Sequence, residues 1–399
     1  MIGKFVYTVA NGEAPPNRSG ICVNDALIEL LSSQKKSITE HYENRKWDKH
    51  KKQANLYELI FTTTHPSLAK FSPLSRSFFK HWEILHDFKV ELSDLHDLSK
   101  PLVCAFLAEG PGGFIEAFTR LRPNGIDRLY GVTLISNQKS IPSWKISKDM
   151  CAKHNIELLY GPEGNGSLYS LENIENFAQV IGAHACDYVT ADGGFDFSSD
   201  FDLQENTSSF LIMCEIFTAM MLLKPGGSFL LKIFDITLPV TKTAIFILYQ
   251  HFDCLTFVKP LTSRPANSEK YILARGFRDS SSSSSSKYMS LLEKTIRKGY
   301  HQKSLDELVA QIKPTQEFLE TIALYNVFYM IKQITHINLS LSYIYSNHDD
   351  EDTLPSQIEH AIRWCDHYHI PINLTHLHSY KRLISGADKK PMSLGDQGS

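Results

Sequence analysis

Lys232 lies inside an apolar run, Ser228-Phe229-Leu230-Leu231-Lys232-Ile233-Phe234, that reads as a strand. Stripping water from an ammonium costs several kcal/mol, so a lysine at an inward position of a buried strand needs partners. It is either half of a structural ion pair or a group that does chemistry, and its partners decide which. Two acids qualify on topology, because ligands of open α/β sheets gather at the carboxyl ends of the parallel strands. Asp192, in Thr190-Ala191-Asp192-Gly193-Gly194-Phe195, follows a strand over 187–191, and Lys232 is near the end of its own. Glu269 precedes a strand over 270–276. Only a loop separates that strand from the one over 255–259, so the two should pair antiparallel and Glu269 should reach the same rim. An isolated Asp-Gly-Gly is ordinary turn chemistry. Three ionisable groups from distant positions meeting at one rim are not.

A second signal is Glu109-Gly110-Pro111-Gly112-Gly113-Phe114, between an apolar strand over 102–107 and a helix over 114–121. Glycines there let backbone approach a ligand and present a helix N-terminus, which suits a nucleotide-like cofactor. The spacing is not Gly-x-Gly-x-x-Gly, so a nicotinamide-dependent oxidoreductase fails for lack of its fingerprint. Glu109 disfavours a pyrophosphate. An acid beside a glycine loop suits a cofactor with a cationic amino-acid end, such as S-adenosylmethionine; the competing reading is a plain strand–helix turn.

The elements that must hold these residues alternate in type. Strand candidates at 102–107, 129–134, 157–160, 187–191, 228–234, 255–259 and 270–276 are interleaved with helices, including 210–223 and 239–252, which predicts an α/β fold with a mostly parallel sheet. Residues 1–100 read as mostly helical; Phe78, Phe79, Trp82 and Leu85 share one face of a helix over 75–88. Residues 288–385 are helical in pattern, with a stripe of Ile358, Ala361, Ile362 and Cys365 expected to pack on the main domain. Between them, Ser280–Ser286 is seven consecutive serines, too polar to offset its ordering entropy by burial and so expected as a linker.

Composition sets outer limits. The 399 residues are 42% hydrophobic and 11% aromatic, as in an ordinary globular protein. A net charge of −3 confines any nucleic-acid surface to a local patch. No apolar run is long enough for a membrane span and the first residues lack a signal core, so an intracellular, non-secreted protein is expected. Seven dispersed cysteines read as reduced thiols. Cys365, His367, His369, His376 and His378 cluster near the end, but their spacing fits no zinc module, and no metal is expected.

Four segments carry a resemblance. Gly110-Pro111-Gly112-Gly113-Phe114, Ala191-Asp192-Gly193-Gly194-Phe195, Leu231-Lys232-Ile233-Phe234-Asp235 and Lys259-Pro260-Leu261-Thr262-Ser263-Arg264-Pro265-Ala266-Asn267-Ser268-Glu269-Lys270-Tyr271 resemble the FtsJ-type ribose 2′-O-methyltransferases, and the mRNA cap branch in particular. Ala54-Asn55-Leu56-Tyr57-Glu58 and Arg76-Ser77-Phe78-Phe79-Lys80 resemble the segment upstream of the family's glycine loop. The resemblance implies a Rossmann-like, seven-stranded methyltransferase sheet over 75–278. Around it come a helical extension at 1–74, a serine linker at 279–287, a second helical extension at 288–385 and a disordered tail at 386–399. The family's Lys-Asp-Lys-Glu tetrad falls on Lys80, Asp192, Lys232 and Glu269. Lys232 would act as the base or hydroxyl-polarising group, Asp192 and Glu269 would orient the lysines, and Lys80 would add positive potential.

The implied S-adenosylmethionine contacts are Glu109, Gly110, Pro111, Gly112, Gly113, Phe114, Ser167 and Asp192. Ser167 stands where cap enzymes usually carry Asp, with Glu163 as the substitute acid, and Ser75 stands where a cofactor-side Asn is common. On the RNA side the resemblance points to Lys51, Asn206 and Arg264, with Lys49, Lys52 and Trp47 beside Lys51 facing a cap triphosphate or a base. A solvated basic helix face is the competing reading of that run. The implied function is methylation of the first transcribed nucleotide of capped mRNA, with capping or transcription machinery as partners, in nucleus or cytoplasm, cellular or virus-encoded. Methylation of ribosomal or transfer RNA is the runner-up. A catalytically weak RNA-binding subunit of a capping complex is the reading from another class.

Overall fold

A computed structural model describes residues 6–10, 20–42, 46–63, 65–138, 141–194, 204–278, 283–346 and 350–384. Its strands are β1 (Val6–Ala10), β2 (Val103–Leu107), β3 (Arg128–Val132), β4 (Ile156–Leu159), β5 (Cys186–Ala191), β6 (Leu223–Ile233), β7 (Phe252–Val258) and β8 (Lys270–Phe277). They form one sheet in the order β1-β7-β8-β6-β5-β2-β3-β4. The pairs from β4 to β6 are parallel, whereas β8 runs antiparallel to both β6 and β7. The expected seven-stranded sheet is therefore present, with Glu269 entering β8 at the carboxyl rim of β6.

An eighth strand extends it. β1 pairs antiparallel with the outer edge of β7, so the stretch before residue 75 that reads as mostly helical includes a strand. Its sequence, Val6-Tyr7-Thr8-Val9, is rich in β-branched and aromatic residues, which the helical reading of that region underweighted. Within β6 the pairing slips between Cys186↔Leu223 and Tyr188↔Ser228, where Lys224-Pro225-Gly226-Gly227 loops out of register with Gly226 at φ 80°.

Connectivity places the site. From β2 the chain moves outward to β3 and β4, then returns to β5 on the other side of β2. The strand order thus reverses between β2 and β5, and a crevice opens at their carboxyl ends. Glu109 follows β2, and Asp192 follows β5.

Helices cover both faces. The Gln204–Leu222 and Pro239–His251 helices close one core, which contains Val189, Phe210, Met213, Leu231 and Ile272. The Gly113–Leu121 helix closes the other, with Phe106, Phe114, Phe118 and Tyr188 wholly buried; each such ring contributes about 2 kcal/mol. The Ser77–Asp87 helix lies alongside, burying Phe78, Phe79, Trp82, Ile84 and Leu85. Its His81 is also buried, with Nδ1 2.9 Å from Phe114 O and Nε2 3.1 Å from Tyr188 OH. Burial drops that imidazole to about 3, against the bond to Phe114, so a neutral ring pins the turn that presents Lys80.

The terminal extensions pack on each other. Ile358, Ala361 and Cys365 of the Asp350–His367 helix are buried and Ile362 partly so, but the stripe packs on Leu59 and Ile60 of the N-terminal extension as well as on Phe79 of the main domain, where all of it is expected. Gln357 Nε2 lies 2.8 Å from Lys52 O, 3.0 Å from Gln53 O and 2.9 Å from Asn55 O. The Gly20–Tyr42 and Gln316–Tyr345 helices share a second cluster, in which Leu31, Ile38 and Trp47 meet Met330, Ile334 and Ile337. The expected serine linker is shorter than its composition implies: Ser283–Ser286 form the first turn of a helix ending at Arg297. Leu292 and Ile296 anchor that helix on the main core, and adding a turn to an existing helix costs far less than nucleating one. The tail expected to be disordered at 386–399 lies outside the described residues. No helix among the described residues is long and apolar enough to cross a membrane.

Candidate active site

The carboxyl rim of β5, β6 and β8 collects the charges expected there. Lys232 is 9% exposed, and its Nζ donates to Asp192 O at 2.6 Å and lies 3.2 Å from Asp192 Oδ1. Tyr271, paired across the ladder with Lys232, donates its hydroxyl to the same Oδ1 at 2.8 Å. Glu269 receives Lys80 Nζ at 2.7 Å on Oε1 and 2.8 Å on Oε2, while Ser263 Oγ donates to Oε1 at 2.8 Å. Lys80, Asp192, Lys232 and Glu269 thus form two linked ion pairs at one rim. The expected convergence is present.

Electrostatics assign protonation states. Burial alone would lower the Lys232 ammonium, but Asp192, Glu269 and Glu215 outweigh it and hold it above its ordinary value. Lys232 is therefore a cation at neutral pH. Two of its N–H groups are directed at Asp192, and a lysine has three. Burial would likewise raise Glu269, yet Lys80 first, then Lys232 and Lys259, bring it down to about 2. The sign of the resulting pH dependence follows. A carboxyl depressed from 4.5 to about 2 contributes stability that is complete above pH 4.5 and lost as pH falls through 2. Acid unfolding followed by circular dichroism should show a shallower loss over that window in Glu269→Gln than in the wild type.

The glycine turn abuts this rim. A Cβ on Gly113 would fall 2.9 Å from Phe78 N and closer still to the Ser75 and Ser77 hydroxyls, so glycine lets the two helices meet. Gly110 N donates to Thr133 Oγ1 at 3.0 Å, Pro111 O accepts from Lys145 N at 3.0 Å after a cis peptide bond, and Gly112 N donates to Glu109 O at 2.8 Å. Two residues depart from the cofactor-facing expectation. Phe114 is wholly buried, its ring stacked 4.4 Å from that of His81, so its side chain is core. Glu109 directs Oε1 to Phe114 N at 2.7 Å and Ile115 N at 3.1 Å, capping the helix from beneath, because an acid at that offset meets the orphan N–H groups of the first turn. Its carboxyl is nonetheless raised well above the usual range, by burial and then Asp192.

Ser167 lies on the loop after β4, where its Oγ accepts from Tyr169 N at 3.2 Å and its N–H donates to Asn165 Oδ1 at 2.9 Å. Glu163, on the same loop, accepts from Asn165 Nδ2 at 3.0 Å.

Lys51 and Arg264 line a common cavity of about 100 Å³ with Lys35, Trp47, Gln204 and Gln333. Lys51 pairs with Asp48, and Arg264 grips Glu58 with Nε at 2.9 Å and Nη2 at 2.7 Å. Asn206 is not in that lining; Gln204, half a helical turn earlier, is. Trp47, expected beside the RNA, is 3% exposed and forms the cavity wall rather than an exposed stacking ring. In the terminal His cluster, His376 and His378 direct Nδ1 to Ser67 O and Leu374 O, and Cys365 is buried.

Three groups in or beside the site escaped sequence reasoning. Lys259 donates to Asn267 O and Oδ1, both at 2.8 Å, and to Glu269 O at 2.6 Å, fixing the loop that carries Glu269; burial lowers it to about 7. Tyr271 orients Asp192. Glu215 lies beneath the Asp192 turn, and its signal was the one that exposed Lys232: a charge within an apolar run.

The FtsJ-like methyltransferase family profile matches residues 73–277, just over half of the chain. The chain is 35% identical over 187 residues to cap-specific mRNA (nucleoside-2′-O-)-methyltransferase 1 of Danio rerio, covering 44% of this chain and 21% of that protein. It is 29% identical over 279 residues to the Xenopus laevis protein of the same name, covering 65% of this chain and 31% of that one. It thus spans between a fifth and a third of these relatives' length. Among solved structures, a putative ribosomal RNA methyltransferase from Plasmodium falciparum aligns with TM-score 0.36 and 14% identity over 51% of this chain and 97% of that one.

Proposed function

Because the chain belongs to the FtsJ-like methyltransferase family, we propose that it methylates the ribose 2′-hydroxyl of the first transcribed nucleotide of capped mRNA. The observation that carries this reading is the meeting of two lysines and two acids beside a glycine turn at the strand-order reversal. The names of the two relatives support the substrate class.

The residues around the turn fit S-adenosylmethionine as donor. Gly110 and Pro111 stay half-buried at the mouth of the turn, and Asp192 places a carboxylate where a cationic amino-acid end would sit, while Glu109 braces the helix start beneath it. Ser167 and Glu163 offer polar atoms on the loop after β4. When bound, the donor supplies a sulfonium methyl that becomes bonded to the ribose oxygen as the C–S electron pair returns to sulfur. No metal is required by that exchange.

The chain's own groups act on the hydroxyl. The raised Lys232 favours the polarising role over the base role: its third N–H stabilises charge growing on the 2′-oxygen, and the hydroxyl proton leaves to solvent or to the neutral fraction of Lys232. Asp192 fixes that ammonium in place, Glu269 fixes Lys80, and Lys80 adds a second positive charge. Lys51 and Arg264 line the cavity that would take the cap phosphates, each held in place by an acid, Asp48 and Glu58. With such a substrate the enzyme would work inside cells, in nucleus or cytoplasm, where capping or transcription machinery would deliver the transcript.

The test is labelled methyl transfer to matched RNAs bearing a guanosine cap, a methylated cap or a bare triphosphate. Capped RNA should be labelled and the triphosphate form should not. Equal labelling of all three would replace the cap reading with modification of ribosomal or transfer RNA. Binding of all three without transfer would leave an RNA-binding subunit.

A further inference from the structure

Glu215 has no part in the scheme above, yet its position is unusual. It is the one acid in the interior of the Gln204–Leu222 helix, between Cys214 and Ile216, and it is 1% exposed. A carboxyl there is costly to bury, and its Oε1 meets only the Gly193 backbone, without well-formed hydrogen-bond geometry. That oxygen presses on the Asp192 turn: a Cβ on Gly193 would fall well inside contact distance of it. On the other side of the same turn, a Cβ on Gly194 would lie 3.1 Å from Lys232 Nζ. The two glycines therefore pass between a buried acid and the buried ammonium, leaving no room for a side chain at Gly193.

We propose that Glu215 is a positioning residue of the methyl-transfer site, one that clamps the Asp192–Gly194 turn and holds an exchangeable proton whose loss weakens Lys232 as an electrophile. This inference rests on the proposed function for its kinetic consequence, and on the burial and crowding of the Glu215 carboxyl for the proton. The charged groups facing Glu215 are Lys232 from β6 and Asp192 from the end of β5; the titratable ones are Tyr169 from the loop after β4 and its own neighbour Cys214. Burial first, and then Asp192, push its carboxyl up to about 8, against Lys232 and the Gly193 backbone. Glu215 is thus mostly neutral at pH 7 and mostly charged at pH 9. Its ionisation adds a negative charge beside Lys232. That charge opposes negative charge growing on the 2′-oxygen, and it also deepens the hold on the Lys232 proton. Both effects slow transfer, so the sign is the same whichever role Lys232 has.

The experiment compares kcat of wild type and Glu215→Gln from pH 6.5 to 9.5, together with ¹³C-carboxyl NMR of glutamate-labelled protein. The ratio of mutant to wild-type kcat should rise about three- to tenfold across pH 8, equivalent to roughly half to one pKa unit of altered interaction. A ratio that stays flat overturns the proposal, since a merely structural role would change the rate equally at all pH. The NMR titration should show one glutamate titrating near 8, absent from Glu215→Gln and moved upward in Lys232→Ala. No such resonance in wild type also overturns it, and this readout stands if the substitution fails to fold. Should wild type methylate no RNA while the resonance titrates as described, the proposed function fails and the Glu215 proton does not.

Discussion

Lys232→Ala should lower methyl transfer by about 10³-fold or more, with donor affinity nearly unchanged. The lysine Nζ is held by Asp192 at the carboxyl rim of β6, and its hydrogen bond and ion pair both go to Asp192 rather than to the glycine turn. Its loss removes a donor preorganised for developing charge, which is worth roughly 10² to 10³ in rate, and whatever share of proton transfer the neutral lysine performs. Arginine at this position should not rescue, because the ammonium fits a space 3.1 Å from where a Cβ on Gly194 would stand. Single-turnover labelling of capped RNA measures the first effect, and calorimetric titration with S-adenosylhomocysteine measures the second. Near-normal turnover would remove Lys232 from the chemistry and leave it a structural ion pair.

Asp192→Asn is expected to cost about 10² in kcat and, unlike the lysine change, to weaken the donor as well. The amide keeps the shape and can still accept from Tyr271, so the turn should survive. What it lacks is charge. Asp192 is the foremost carboxylate holding the Lys232 ammonium up and also contributes to keeping Glu109 and Glu215 protonated. Without it the lysine loses its orientation while two neighbouring acids ionise more readily, so the field at the 2′-oxygen changes on several fronts at once. Kinetics that separate kcat from the donor KM give the readout. A variant with wild-type kcat would reduce Asp192 to turn chemistry, the competing reading of any Asp-Gly-Gly.

Sequence made the middle of the chain legible and its margins less so. The rule that an acid or lysine cannot sit idle on a buried strand identified Lys232, and the antiparallel last strand carried Glu269 to the same rim. Both inferences need only local patterning and one topological rule. The eighth strand escaped because a five-residue edge strand has too little periodicity to outweigh the long helices after it. The orientations of Glu109 and Phe114 are hidden for a different reason. A glycine turn states that backbone approaches something, but not which flanking side chains face the crevice and which face the core. Arg264 shows the same limit from the other side: the sequence marks it as a charge near Glu269, and only the fold reveals that Glu58 fixes its fork. Glu215 is readable by the logic that applies to Lys232, but helices tolerate inward polar residues more often than central strands, so an acid there stands out less.

The amide of Gln357 makes the Asp350–His367 helix and the segment at Lys52–Asn55 mechanically dependent. Through it, a helix some three hundred residues downstream holds the backbone that sets Lys51 beside Arg264. A fragment trimmed to the family-matched stretch would keep the donor crevice but surrender the wall against which an RNA end could rest. Truncation, fusion tags or a protease cut near the carboxyl terminus would therefore be felt first as lost substrate selection, well before the sheet itself came apart.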